Sequence, residues 1–316
     1  MMAVGVYVLF FACVLLLPPC VIGVIRKGKA LMQGRVGAPL SQPFFDLFKL
    51  LGKDQTVSQT TTWIFRSSCA MNLATTLIIA GIVPWLSFKP IFPGDDLFLL
   101  LYLLALCRFM TILSALDSGS PFGAFAASRE AFLSMLVEPA MFISLGALAL
   151  IAHSTSLHVV FDLSLPCSTY DVPVWLAAAA ALFLGSIVDL SRMPIDDPTT
   201  HLELTMVHEA MIIENSGKNL ALVEFTHFLR MAVVYGLISQ CMMHAVGRLV
   251  EFNQLTAAIV SVVSILGMAV LTVWIESVFV KLRWRSTPEF IAYAMTMSFF
   301  ATGGALIGDM YARHGL

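Results

Sequence analysis

The residues most able to do chemistry are acids and bases set inside apolar sequence. Arg108 sits near the middle of LFLLLYLLALCRFMTILSALD, and Glu138 precedes Pro139 in FLSMLVEPAMF. Glu224, His227 and Arg230 recur every three residues in VEFTHFLRMAVVYG, one polar strip on an otherwise apolar helix. Glu130 opens one apolar segment, Asp189 closes another, and Glu276 lies one turn from the end of a third. An ionisable group deep in an apolar helix costs about 2.5–3.5 kcal/mol on insertion scales, so it faces protein or water. Such groups serve proton relays and ion paths, or they pair across helices to hold them together.

A second set lies between two apolar segments, in Asp189–Lys218, DLSRMPIDDPTTHLELTMVHEAMIIENSGK. Five carboxylates, Asp196, Asp197, Glu203, Glu209 and Glu214, share this stretch with Arg192, His201 and His208. Asp196-Asp197-Pro198 reads as a helix start and Asn215-Ser216-Gly217 as its stop. The expectation is a helix of about 17 residues at the membrane surface or folded back between spans, a landing surface for a soluble redox partner. His208-Glu209 does not open a zinc-protease motif, because position 212 is Ile rather than His. His201 and His208, seven apart, share a helical face and read as polar surface residues. No phosphate loop, nucleophile elbow or catalytic-cysteine setting occurs.

The elements that position these groups follow from composition. Of 316 residues, 59% are hydrophobic and 12% charged, about half the charge of a soluble domain. With a mean hydropathy of +0.88, the expected class is an all-α, polytopic membrane protein. Eight apolar spans can be drawn, at about 4–25, 64–88, 97–116, 130–152, 173–190, 225–247, 255–280 and 289–311. The fourth is expected to open at Ser128-Arg129-Glu130 and to be broken at Pro139. The first meets no Lys or Arg until Arg26, so it lacks a cleavable signal's basic start and is expected to be retained, N-terminus outside. That places twelve Lys and Arg in cytoplasmic loops against three outside, as the positive-inside rule requires, and an even span count returns the C-terminus outside.

The chain therefore reads as one transmembrane domain, residues 1–316, with two cytoplasmic loops of interest. In the first, 26–63, FFDLFKLLGK after Gln42-Pro43 places Phe44, Leu47, Phe48 and Leu51 at helical spacing, an amphipathic helix in the interface. The other, 191–224, is the acidic one. Six scattered cysteines without a C-x-x-C pair cannot hold an iron–sulfur cluster or structural zinc, so no metal or cofactor is expected on this chain. A net charge of −2 with no basic stripe gives nucleic acid no purchase.

Three stretches carry a resemblance. Residues 100–139, LLYLLALCRFMTILSALDSGSPFGAFAASREAFLSMLVEP, are the most specific. Gln33, Arg35, Gly37, Pro39, Gln42-Pro43, Asp46 and Lys49 form the second. Asp189-x-x-Arg192-x-Pro194-x-Asp196-x-Pro198 stands where respiratory complex I has E-x-x-R-x-P-F-D-x-P-E-A-E. The whole chain resembles the subunit-1 family of complex I, in its formate hydrogenlyase and hydrogenase-4 branch. The resemblance implies a tilted eight-span subunit of a bacterial or archaeal cytoplasmic membrane. It would anchor an arm of hydrogenase-like large and small subunits and Fe–S subunits, which hold the [NiFe] centre and clusters. Antiporter-like subunits that move protons or sodium would lie beside it.

Carried over by position, Glu130, Glu138, Asp189, Arg192, Asp196 and Glu203 belong to the ion path. The buried charges Arg108, Glu224, His227, Arg230 and Glu276 join them. Gln33, Arg35, Gln42, Asp46, Lys49, Asp197, His201, His208 and Glu209 are expected to dock the arm. The family's E-A-E is Thr199-Thr200-His201 here, which points to electrons ending on protons rather than on a quinone. The expected function is a non-catalytic anchor and coupling subunit of an energy-converting hydrogenase complex. The alternatives are a quinone-site subunit of a complex-I-type oxidoreductase and a stand-alone secondary transporter, which should show paired broken repeats.

Overall fold

A computed structural model describes residues 2–86, 90–92, 94–162, 171–196, 207–247 and 254–314. The long helices are α1 (Met2–Met32), α3 (Trp63–Ile82), α4 (Leu97–Asp117), α5 (Pro121–Ala152), α7 (Asp171–Asp189), α9 (Gly217–Gly247), α10 (Gln254–Val278) and α11 (Thr287–His314). All eight are long and apolar enough to cross a bilayer. The amphipathic α2 (Gln42–Leu51), the single-turn α6 (Leu157–Val160) and the short α8 (His208–Ile212) complete the α-helices among the described residues, and a 3-10 turn (Trp284–Ser286) leads into α11.

α7 lies at the centre, packed on α5, α9 and α11. Its alanine-rich run, AAAAALFLG, leaves little side-chain bulk, so neighbouring helices approach closely. On the other side α9 also meets α3, α1 and α10. Outward faces of α4, α10 and α11 carry exposed residues such as Tyr102, Val263 and Phe300, as a lipid-facing surface does.

Loop contacts set the helix ends. The Asp117 carboxylate, ending α4, accepts from the backbone N–H groups of Thr62 (2.8 Å) and Phe65 (3.1 Å), which start α3. These are orphan donors of a helix N-terminus, so one acid fixes two helices. Gly217 opens α9 at φ +50°, and a Cβ there would stand 2.4 Å from the Asp54 carbonyl oxygen. No other residue would let the segment after α2 lie so close to α9. α2 is amphipathic as expected: Leu47 packs on the core, and Phe45 and Phe48 face outward. Its outward residues suit the membrane interface.

Three expectations are corrected. The acidic loop is not one 17-residue helix: Val207 is a bend outside any helix, and α8 runs only from His208 to Ile212. Asp196 explains the break, because its Oδ2 accepts from the N–H of Val207 (3.0 Å) and of His208 (3.3 Å), seating α8 as a separate piece. Secondly, the fourth span opens at Pro121 rather than at 128–130, because Pro121 takes the first helical turn at no hydrogen-bond cost. Thirdly, α5 runs unbroken through Pro139. Asp197, His201 and Glu203 lie outside the described residues.

Candidate functional site

The charged residues gather at the end of the bundle that carries α2. There a cavity of about 540 Å³ opens among α1, the segment after α7, α8 and α9. Ile22, Leu190, Val223 and Phe228 give it apolar walls. Its polar groups are held in ion pairs across elements. Arg26 of α1 meets Asp46 of α2 at 3.0 Å, and Gln42 steadies the same carboxylate at 2.9 Å. Glu276 of α10 lies 3.0 Å from Lys29 Nζ and 3.6 Å from Arg192. Lys281 reaches Asp196 at 3.0 Å, and Leu282 N–H donates to the Pro194 carbonyl at 2.8 Å. The loop after α10 thus straps down the segment after α7.

Deeper in, Cys69, Asn72, Thr76, Thr111, Asn215 and Arg230 surround a second pocket of about 50 Å³. It has room for a few water molecules. Asn72 donates to Thr111 at 3.0 Å, and Cys107 lies 2.8 Å from Thr75. His208, Ile212, Val223 and His227 line both spaces.

Beyond it runs a row of tight ion pairs through four spans. Arg230 of α9 donates to Asp189 Oδ1 of α7 at 2.5 Å. The same oxygen meets the Arg108 guanidinium of α4. Arg108 in turn donates to Glu138 of α5 at 2.6 Å. The Asp189 side chain is fully buried and Arg108 is 5% exposed, whereas Glu138 keeps 45% of its side chain exposed. Breaking a buried pair costs about 3–5 kcal/mol, so the middle of this row holds α4, α7 and α9 in register. Glu130, one helix face away, is buried, and its Oε2 has no hydrogen-bond partner among the described residues.

Apart from Glu130, the expected ion-path residues that are described fall into two groups. Arg108, Glu138, Asp189 and Arg230 form the inner row. Arg192, Asp196, Glu224 and His227 line the cavity, and Glu276 is ion-paired to its Lys29 and Arg192. Glu138, expected to be buried, is half exposed, because it lies on the outer flank of α5. Of the expected docking residues, Gln42, Asp46 and Lys49 lie on α2, and Gln33 and Arg35 line the cavity; Gln33, Arg35 and Lys49 are exposed. His208 and Glu209 line the cavity instead of a surface helix. Burial pushes the His208 imidazole down to about 4, against the pull of Asp196. Sequence reading missed Lys29, Lys281 and the hydroxyl, amide and thiol groups of the inner pocket. The polar residues recurring along α3 (Ser68, Cys69, Asn72, Thr75, Thr76) were the signal that could have found the pocket.

Comparison with known proteins supports the same architecture. The profile of the NADH dehydrogenase family matches residues 4–303. The chain is 29% identical over 295 residues to formate hydrogenlyase subunit 4 of Escherichia coli, covering 90% of this chain and 92% of that protein. It is 31% identical over 274 residues to hydrogenase-4 component C of the same organism, covering 85% of each. A chain in the structure of the membrane-bound sulfane sulfur reductase, an archaeal respiratory membrane complex, superposes with a TM-score of 0.79 at 17% identity. That match covers 95% of this chain and 99% of that one, and it speaks for the fold. On the span of the family match and the identity to its relatives, this chain belongs to the NADH dehydrogenase family, the complex I subunit 1-like membrane proteins.

Proposed function

We propose that this chain is the anchor and coupling subunit of a hydrogenase-type respiratory membrane complex. It docks a peripheral redox arm at the α2 end and links electron transfer there to movement of protons or sodium. The observation that carries the reading is the row from Arg230 to Glu138. It starts at the inner pocket and ends on a carboxylate that is 45% exposed at the middle of a 32-residue helix. A charge at that depth is expensive against lipid. A second membrane protein covering the α4–α5 flank would satisfy it, and the charge would pass sideways into that partner. The [NiFe] centre and Fe–S clusters would lie on partner subunits. The α2 end would face the cytoplasm of a bacterium or archaeon, with both termini outside.

The test is the partner set. Purified in mild detergent, the chain is expected to bring down an arm subunit with paired C-x-x-C motifs, fit to hold Ni and Fe. Antiporter-like membrane chains should accompany it. Recovery of the chain as a lone species that transports by itself would overturn the reading.

One observation favours a second reading. At about 540 Å³ with apolar walls, the cavity matches small-molecule sites in size and lining. A quinone is the ligand that reading requires, and saturable binding of a quinone-site inhibitor to the purified complex would support it.

A further inference from the structure

His208 and His227 come from different elements, α8 and α9, yet their rings lie against each other with centroids 4.9 Å apart and planes tilted by 32°. They line both the large cavity and the inner pocket. We propose that this pair is the proton-exchange element between the two spaces. The inference rests on the coupling function proposed above.

Three features of the geometry support it. The first is position: the two rings stand in the shared wall, and Arg230, which begins the row to Glu138, lines the inner pocket beside them. The second is reach: at this separation a ring turn about its Cβ–Cγ bond brings a nitrogen of one imidazole within hydrogen-bond range of the other, directly or through one water. The third is charge. Two imidazolium ions this close repel, so the pair favours one proton at a time. The surroundings sharpen this. Arg26 of α1, Arg192 after α7 and Arg230 of α9 oppose a second positive charge, while Asp196, Asp189, Glu209 and Glu224 draw a first one in. A relay needs a site that releases the proton it takes, and His208, pushed down to about 4 by burial, hands a proton on rather than keeping it.

The step balances simply. A proton from cavity water binds a nitrogen of one ring. That ring's other N–H passes its proton to the second ring, and the second ring releases one to water in the inner pocket. Both rings end neutral with tautomers exchanged, and turning over resets them; no electrons move.

The pair's anchoring suits this role. The backbone N–H of His208, not its ring, donates to Asp196 Oδ2 at 3.3 Å, and Asp196 is held by Lys281. A shift in the segment after α7 would therefore carry the His208 ring toward or away from His227.

The experiment uses the whole complex in proteoliposomes with an internal pH dye and reduced methyl viologen as electron donor. His208→Gln and His227→Ala are each expected to slow vectorial proton movement about a hundredfold while viologen oxidation continues in the presence of an uncoupler. Added imidazole should restore His227→Ala, since the hole adjoins an open cavity. Thiazole fills the same hole but carries no proton near neutral pH, and should not restore it. Should His227→Ala fail to assemble, His227→Gln replaces it in the rate comparison, and loss in that variant supports the relay.

Rescue by both rings alike would show a packing role and overturn the proposal. So would unchanged proton movement in both variants. Sodium movement without proton movement in the wild type would overturn the pair's role and leave the coupling function standing. Absence of any ion movement in the wild type would overturn both.

Discussion

The two halves of α9 differ in kind. The half near α2 carries Glu224, His227 and Arg230. From Met231 to Gly247 there is no Asp, Glu, Lys or Arg, and the buried polar groups are neutral. Tyr235 bonds Thr272 at 2.8 Å, Ser239 bonds Ser264, and Gln240 donates to Ser261 at 3.1 Å. His244 stacks flat on Trp175 at 4.3 Å. α10 repeats the pattern, with no charge from Gln254 to Ile275 before Glu276. In α5 no charged residue follows Glu138.

The contrast teaches where charge can go. Interhelical hydrogen bonds between hydroxyls join α9 to α10 without needing charge. The charged half reaches from the cavity to mid-membrane and stops. Among the described residues, a route continuing straight to the far side along α9 would meet packed apolar residues, hydroxyls, the Gln240 amide and the His244 ring, but no carboxylate, ammonium or guanidinium group. The charged row turns instead, through Asp189 and Arg108, to the flank at Glu138.

Breaking that row should have the largest effect. Asp189→Asn leaves two buried guanidinium groups facing each other with no anion between them, at a cost of about 3–5 kcal/mol. The purified complex is expected to unfold at clearly lower temperature, and scanning calorimetry checks it.

The cavity side gives a smaller, pH-dependent effect. His208 in the fold titrates at about 4, below its ordinary value of about 6.5, so the unfolded chain binds the proton more readily. Its contribution is fully present above about pH 6.5 and is lost as pH falls toward about 4. The loss should be on the order of 1–3 kcal/mol, and His208→Gln should flatten that part of the stability profile.

The neutral half should respond least. Ser239→Ala or Tyr235→Phe removes one interhelical hydrogen bond, worth about 0.6 kcal/mol in comparable helices. Ion movement should be unchanged. A large loss of transport from either substitution would place a path through the neutral half and erase the contrast.

Much of the scaffold was legible in the sequence. The eight spans and α2 follow from the length of apolar runs and from the spacing of Phe44, Leu47, Phe48 and Leu51. The depth of Arg108, Asp189 and Arg230 was legible for the same reason. Their pairing was not, because Arg108, Glu138, Asp189 and Arg230 lie far apart in sequence and meet only when helix rotations are fixed. In a membrane the core-facing and lipid-facing sides of a helix are both apolar, so rotation leaves little trace in the pattern. That is why Glu138 read as buried although it faces outward. The acidic loop misled for another reason. Its helix signals are local, whereas the Asp196 carboxylate accepts from the backbone of Val207 and His208, 11 and 12 residues further on.

Glu138 offers the most direct test of the lateral route. Its conversion to Gln keeps the volume, leaves the Arg108–Asp189 pair intact and removes one charge at the exposed end of the row. The whole complex carrying Glu138→Gln is reconstituted in vesicles, and ion uptake is measured beside electron transfer in the same sample. The account predicts assembled complex, electron transfer near the wild-type rate once an uncoupler is added, and ion uptake lowered about tenfold or more. Ion uptake per electron equal to that of the wild type would contradict it.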